Sequence, residues 1–170
     1  RGLFIAEGRL VVGRVLEDTR YRVLSLLVNE PTRAALGPQL SRLSLEVPVY
    51  VCVTEAFRSI TGFNLHRGCL ALVERPPSAQ VSSLVDSARL LIVLEGIADA
   101  DNVGGVFRNA AAFGADAVLL TESCCDPLYR KAVRTSMGAV LLVPFARMND
   151  WPSVLGSLRE RGFVLVALTP

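Results

Sequence analysis

Four short, almost wholly apolar runs separated by helix-like segments constrain the fold of this chain more than any other feature. They occupy residues 90–94, 117–120, 139–143 and 163–168. Strands this apolar are buried on both faces, the condition of a parallel sheet covered by helices. Helix signals fill the gaps. Asp99 and Asp101 offer cap oxygens ahead of a helix that stops at Gly114. Asp126-Pro127 opens a second helix, running to about residue 137. Asn149 or Asp150 starts a third, which Gly162 ends. Open α/β sheets bind ligands beyond the carboxyl ends of their strands. Here those ends fall at residues 95–102, 121–126 and 169–170.

The first part alternates too. Residues 7–17 read as a helix, 23–28 as a strand, and Pro31 as the first-turn residue of a second helix. Residues 49–53 read as a strand, Thr54 caps a helix to about 60, and 69–73 form another strand. The expectation is a small α/β sandwich over residues 1–75. Paired prolines and small polar residues at 74–83 mark a connection, with the linker placed at 76–88 and a second α/β unit at 89–170.

Composition narrows the class. Hydrophobic residues make up 51% and charged residues 20%, as in globular domains. No apolar run reaches the ~18 residues of a membrane helix, and the start carries no signal-peptide pattern. The net charge of +2 alone does not establish nucleic-acid binding. The basic residues are arginine throughout, with Lys131 the single lysine, and they are denser in the first half. Cys52 and Cys69 sit in apolar runs and read as core. Cys124-Cys125 lacks a C-x-x-C companion, and the lone His66 completes no zinc set. No metal is expected, and the thiols read as reduced, in a cytoplasmic protein. The chain begins at Arg1 and stops as its last strand reaches the ligand side, so both ends read as cut.

The segment Asn102-Val103-Gly104-Gly105-Val106-Phe107-Arg108-Asn109-Ala110 carries the strongest functional signal. At about 100° per residue, Val103, Val106, Phe107 and Ala110 cluster on a sheet-facing side, with Phe113 at its edge. Gly104, Gly105, Arg108, Ala111 and Ala112 lie opposite. A helical glycine costs roughly 0.5–1 kcal/mol against alanine, so two together point to close approach by another backbone or by a ligand. Arg108 follows one turn later, a permanent cation suited to phosphate. A solvated arginine on a tightly packed surface helix fits the same spacing. A second basic cluster lies on the next helix: Arg130, Lys131 and Arg134, closed by Ser136 and a glycine turn at Gly138. These cations complement a helix C-terminus, or with Arg108 they form a phosphate-binding strip.

Taken together, the two segments resemble the SpoU/TrmH family of RNA ribose 2′-O-methyltransferases, in the SPOUT class of knotted enzymes. Its first motif matches at Asp99, Asn102, Gly104, Arg108, Ala110, Phe113 and Gly114. The second matches at Lys131, Arg134, Ser136, Gly138, Ala139 and Pro144. Residues 1–75 resemble the L30e-like substrate-binding domain often fused to these enzymes, through Phe4-Ile5-Ala6-Glu7-Gly8 and His66-Arg67-Gly68-Cys69-Leu70. Ala100 stands where the family often has proline. The third motif, which completes the knot and most of the cofactor pocket, would follow Pro170.

The resemblance implies an α/β fold: an L30e-like sandwich, then a mostly parallel-sheet trefoil-knot domain truncated before the knot. It implies S-adenosylmethionine as cofactor and RNA as partner, rRNA before tRNA, with a homodimer in the complete protein. Arg108 and Asn102 are the expected catalytic residues. Arg130, Lys131, Arg134, Ser136 and Arg67 are expected at RNA. Leu168, Thr169 and Pro170 are expected to begin the cofactor pocket. The rival readings are a non-catalytic RNA-binding protein using the L30e-like part, a generic nucleotide-phosphate binder, and rRNA methylation for antibiotic self-protection.

Overall fold

The computed structural model describes residues 2–61 and 68–168. The first part holds β1 (Leu3–Glu7), α1 (Arg9–Glu17), β2 (Val23–Val28), α2 (Glu30–Ala35), α3 (Gly37–Leu40), β3 (Val49–Val51), α4 (Thr54–Thr61) and β4 (Cys69–Glu74). Its sheet runs β1-β4-β2-β3, with β4 antiparallel to both neighbours and β3 parallel to β2. Phe4, Ala6, Leu26, Val28, Ala71 and Val73 are buried in this sheet, under Val11, Val12 and Val15 of α1. The strand β1 lies ahead of the helix expected at 7–17, in a stretch to which the sequence assigns no element. Its alternation of buried Phe4 and Ala6 with less buried neighbours is too short to separate from the helix that follows.

The second part holds α5 (Val81–Ser87), β5 (Leu91–Leu94), α6 (Ala100–Phe113), β6 (Ala117–Thr121), α7 (Arg130–Thr135), β7 (Phe145–Met148) and α8 (Val154–Glu160). Its sheet is parallel throughout, in the order β5-β6-β7. β6 is buried along its whole length. Val118 and Leu120 face one apolar core with Val103 and Phe107 of α6, while Leu119 faces the other with Val85 of α5 and Leu158 of α8. A strand covered on both sides needs no polar alternation, which is why it reads as an unbroken apolar run.

Four expectations shift. The connection at 76–88 contains α5, because Val81, Leu84 and Val85 recur at helical spacing and pack on the sheet. Residues 139–143 are not a strand: Ala139–Leu141 form a 3-10 turn, and the strand is Phe145–Met148, beyond Pro144. Both segments are buried and apolar, and a short apolar run does not distinguish a strand from a buried turn. Asp126-Pro127 does not open α7, which starts four residues later; Asp126 instead accepts the Leu128 N–H at 2.9 Å. Residues 163–168 have strand-like alternation without a strand. Phe163 and Leu165 pack on the core, while Val164, Val166 and Leu168 are exposed. The segment lacks a ladder partner among the described residues.

One apolar core runs through both parts, from Phe4, Val11 and Val73 to Phe107, Val133 and Val140. Polar bonds cross the same boundary. Arg14 Nη1 donates to Met137 O at 2.9 Å, Arg20 Nη2 to Leu141 O at 2.9 Å, and Tyr21 Oη to Leu141 O at 3.1 Å. Arg75 is paired with Asp126. Carbonyls at a turn have no ladder partner and need a donor. The first part supplies these donors, so it braces the turn that follows α7. Replacing Tyr21 by Phe removes one such donor and keeps the packing. It is expected to lower unfolding free energy by about 0.5–1.5 kcal/mol, read from urea midpoints.

Candidate active site

The site is built on the crossing of α6 and α7. Asp99 caps α6 by accepting the N–H groups of Asp101 at 2.8 Å and Asn102 at 3.0 Å. Those backbone donors hold the Asp99 carboxyl below its ordinary range, and the Lys131 charge adds to the effect. Gly114 ends the helix in the left-handed region at φ 70°, with the Ala115 N–H returned to Ala110 O at 2.9 Å. Val103, Phe107 and Ala110 are fully buried. Phe107 meets Phe145 of β7 edge-on, with centroids 5.6 Å apart. Phe113 is 80% exposed rather than part of the packed face.

The two glycines have different reasons. A Cβ at Gly104 would collide with Thr135 Oγ1 and stand 2.8 Å from Ala132 O and 3.0 Å from Ser136 N. Gly104 therefore lies in the buried stripe, and what approaches it is the backbone of α7. A Cβ at Gly105 would meet nothing within 4 Å. The expected bare face thus divides into a helix contact and an open surface.

Arg108 is exposed one turn beyond that contact and makes no hydrogen bond or ion pair with the described residues. Asn102 is likewise exposed, and its side chain has no hydrogen-bond partner among the described residues. Arg134, beside Thr135 on α7, is exposed as well. The crossing helices thus carry two exposed arginines, Arg108 one turn after Gly104 and Arg134 next to Thr135 in sequence. Lys131 is engaged differently. Its Nζ lies 2.8 Å from Asp101 Oδ2, and that carboxylate raises its pKa. Arg130 turns toward the first part, with Nε 3.5 Å from Glu7 Oε2, an ion pair beyond hydrogen-bond geometry. Ser136 is 1% exposed and donates to Val133 O at 2.9 Å, so it holds the end of α7 from beneath. Leu168 is fully exposed; Arg67, His66, Thr169 and Pro170 lie outside the described residues.

At the carboxyl ends of β5 and β6, two turns are joined. Gly96 N–H donates to Thr121 Oγ1 at 3.0 Å, and Cys125 N–H to Ile97 O at 2.8 Å. Arg147 of β7 donates to the carbonyls of Thr121, Glu122 and Cys124. Sequence reasoning passed over Arg147, because a single arginine in an edge strand carries no pattern. All four cysteines are free. Cys69 is buried, and burial pushes its thiol up to about 12; Cys52 is only half-buried.

The fold that emerges is that of the SpoU methyltransferases. The chain superposes on the SpoU methyltransferase AviRb from Streptomyces viridochromogenes, solved in complex with AdoMet, with a TM-score of 0.72 at 19% identity. The match covers 94% of this chain and 60% of that one. Residues 89–170 match the SpoU rRNA methylase family. An uncharacterized tRNA/rRNA methyltransferase of Mycobacterium tuberculosis is 45% identical over 170 residues, all of this chain and 58% of the relative. A 23S rRNA guanosine 2′-O-methyltransferase of Bacillus subtilis is 26% identical across 94% of this chain and 59% of its own length. The chain thus spans 58–60% of the length of these relatives.

Two tests follow from this geometry. Gly104→Ala is expected to lose about 1–3 kcal/mol of stability by overpacking, more than helix propensity returns. Gly105→Ala is expected to gain about 0.5–1 kcal/mol, both read from denaturant midpoints. Asp99 titrates below its unfolded value, so its capping contribution is present above the ordinary carboxylate range and lost as pH falls through the lowered folded value. Asp99→Asn keeps an acceptor without the charge, and its thermal midpoint is expected to fall less steeply with acid than the parent's.

Proposed function

We propose that this chain is part of an S-adenosylmethionine-dependent methyltransferase that acts on a ribose 2′-hydroxyl of structured RNA, rRNA in preference to tRNA. The observation that carries this reading is Arg108: an exposed guanidinium without a partner among the described residues, one turn from the α6–α7 crossing, inside the family segment. The 2′-O position is supported by the Bacillus subtilis relative. A ribose target makes RNA, not DNA, the substrate.

When bound, S-adenosylmethionine supplies a methyl on a sulfonium, with a neutral leaving group. The described residues fit one side of such a group. The joined turns at residues 95–98 and 121–125 form a wall at the carboxyl ends of the sheet. A Cβ at Gly96 would meet only Ser123 Oγ, at 3.9 Å, which leaves room above that wall. Leu168, Thr169 and Pro170 are the further residues assigned to the cofactor.

The chain's own residues then align the hydroxyl. Arg108 remains protonated, so it serves as a clamp and not as a base. It holds the phosphate next to the target ribose and stabilises the charge developing on the 2′-oxygen. The proton passes to that phosphate or to solvent. Asn102 orients the ribose at the start of α6. Arg134, and Lys131 beside Asp101, take neighbouring phosphates. Arg130 and Ser136 act from behind, fixing α7 to Glu7 and to its own last turn. The first part acts as an L30e-like RNA-docking domain, with Arg67 among its contacts. The complete enzyme works as a cytoplasmic homodimer, for which exposed Phe113 offers an apolar contact.

The test uses the longest natural chain that contains these residues. Arg108→Ala is expected to lower kcat about a hundredfold or more on an RNA bearing the target ribose. A 2′-deoxy substitution at that nucleotide is expected to abolish transfer. An Arg108→Ala variant with the parental rate overturns the reading. RNA binding without any methyl transfer by the parent supports the non-catalytic alternative.

A further inference from the structure

The two turns at the head of the parallel sheet are clasped from its far edge. Arg147 lies on β7, an edge strand of the three-stranded sheet. Its Nη1 donates to Thr121 O and Glu122 O, each at 3.1 Å, and its Nη2 to Cys124 O at 3.2 Å. Glu122 and Cys124 lie on the turn by which the chain leaves β6, and Thr121 is that strand's last residue, whose carbonyl also accepts the Cys124 N–H at 3.1 Å. A guanidinium is a planar fork with several donors and no acceptor, so one side chain can hold carbonyls spread over four residues. Lysine offers a compact point charge instead.

The clasped turn is tied in its turn to the exit of β5. Thr121 Oγ1 accepts the Gly96 N–H at 3.0 Å, Cys124 Sγ donates to Leu94 O at 3.2 Å, and Cys125 N–H donates to Ile97 O at 2.8 Å. Trp151, just after β7, adds a bond from Nε1 to Glu95 Oε1 at 2.6 Å. Two residues beyond Ile97 stands Asp99, the cap of α6. A continuous series of contacts thus leads from Arg147 to the end of the helix that presents Asn102 and Arg108.

We propose that Arg147 is a positioning residue for methyl transfer. It holds the β6 exit turn against the β5 exit turn and so sets the start of α6 at the substrate. This rests on the methyltransferase reading above. Arg147 directs these donors at backbone carbonyls, so it acts through the turns and not as a ligand of RNA phosphate. Misplacing a reacting group by about 1 Å costs on the order of a hundredfold in rate. The cost of losing the clasp therefore falls on kcat.

The experiment compares Arg147→Met and Arg147→Lys with the parent in the longest natural chain that contains these residues. It measures amide exchange at Gly96 and Cys125, RNA affinity and methyl-transfer kinetics. Expected are an unchanged circular dichroism spectrum and about tenfold faster exchange at both amides. Expected too are a kcat lower by about ten- to a hundredfold, with RNA affinity held within about twofold. Arg147→Lys is expected to recover little of either loss. If Arg147→Met does not fold, Arg147→Lys carries the comparison. Parental exchange rates or parental kcat in a folded variant overturn the proposal. So does weakened RNA affinity at unchanged kcat, which makes Arg147 an RNA ligand. A parent without ribose methylation instead overturns the methyltransferase reading, and the exchange rates still decide whether Arg147 holds the turns.

Discussion

The close passage of α6 over α7 at Gly104 is the constraint on which the site depends. A helix pair ordinarily keeps its axes about 8–10 Å apart because side chains stand between them. Here one side chain is missing, and Thr135, Ala132 and Ser136 occupy its place. Arg108 lies one turn after that contact on α6, and Arg134 is the sequence neighbour of Thr135 on α7. The crossing also leaves Gly105 facing open space. It is apolar beneath, where Val103, Phe107, Ala132 and Val133 join one core. The cations are thus carried on a rigid base and not on loops.

That base extends into the first part of the chain. The core is continuous from Phe4 and Val11 to Val140 and Val143. Arg14, Arg20 and Tyr21 supply donors to Met137 and Leu141, just beyond α7. The first part therefore fixes the geometry of the second, whichever partner each one meets. An RNA docked on the first sheet would meet Arg108 at a set distance and not at the end of a swinging arm.

Much of the architecture is legible in the sequence, for identifiable reasons. β6 reads correctly because a strand buried on both faces has nothing polar to show. α6 reads correctly because its cap at Asp99 and its stop at Gly114 are local chemistry. Residues 139–143 mislead, because burial makes a 3-10 turn as apolar as a strand. Residues 163–168 mislead in another way. They read as a strand buried on both faces, yet only Phe163 and Leu165 pack inward while Val164, Val166 and Leu168 are exposed, and an apolar run does not supply the hydrogen-bonded neighbour that a strand needs. In the candidate site, Arg108 and Arg134 stand exposed as their helical positions indicate. Arg130 is drawn elsewhere by Glu7, a distant partner that no local pattern reveals, and Ser136 is buried with its hydroxyl turned back onto Val133 O of its own helix.

The sequence by itself determined the apolar periods, the caps and the pair of motif segments, because each is written in neighbours a few residues apart. Only the tertiary structure decided which glycine serves a helix crossing and which faces open space. It alone decided which of four neighbouring basic or hydroxyl residues stays free for a ligand, and that Arg147 clasps the turns ahead of α6. Those outcomes depend on groups 23 to 123 residues apart meeting in space. Such meetings follow from how two sheets and their helices pack, not from the chemistry of any one segment.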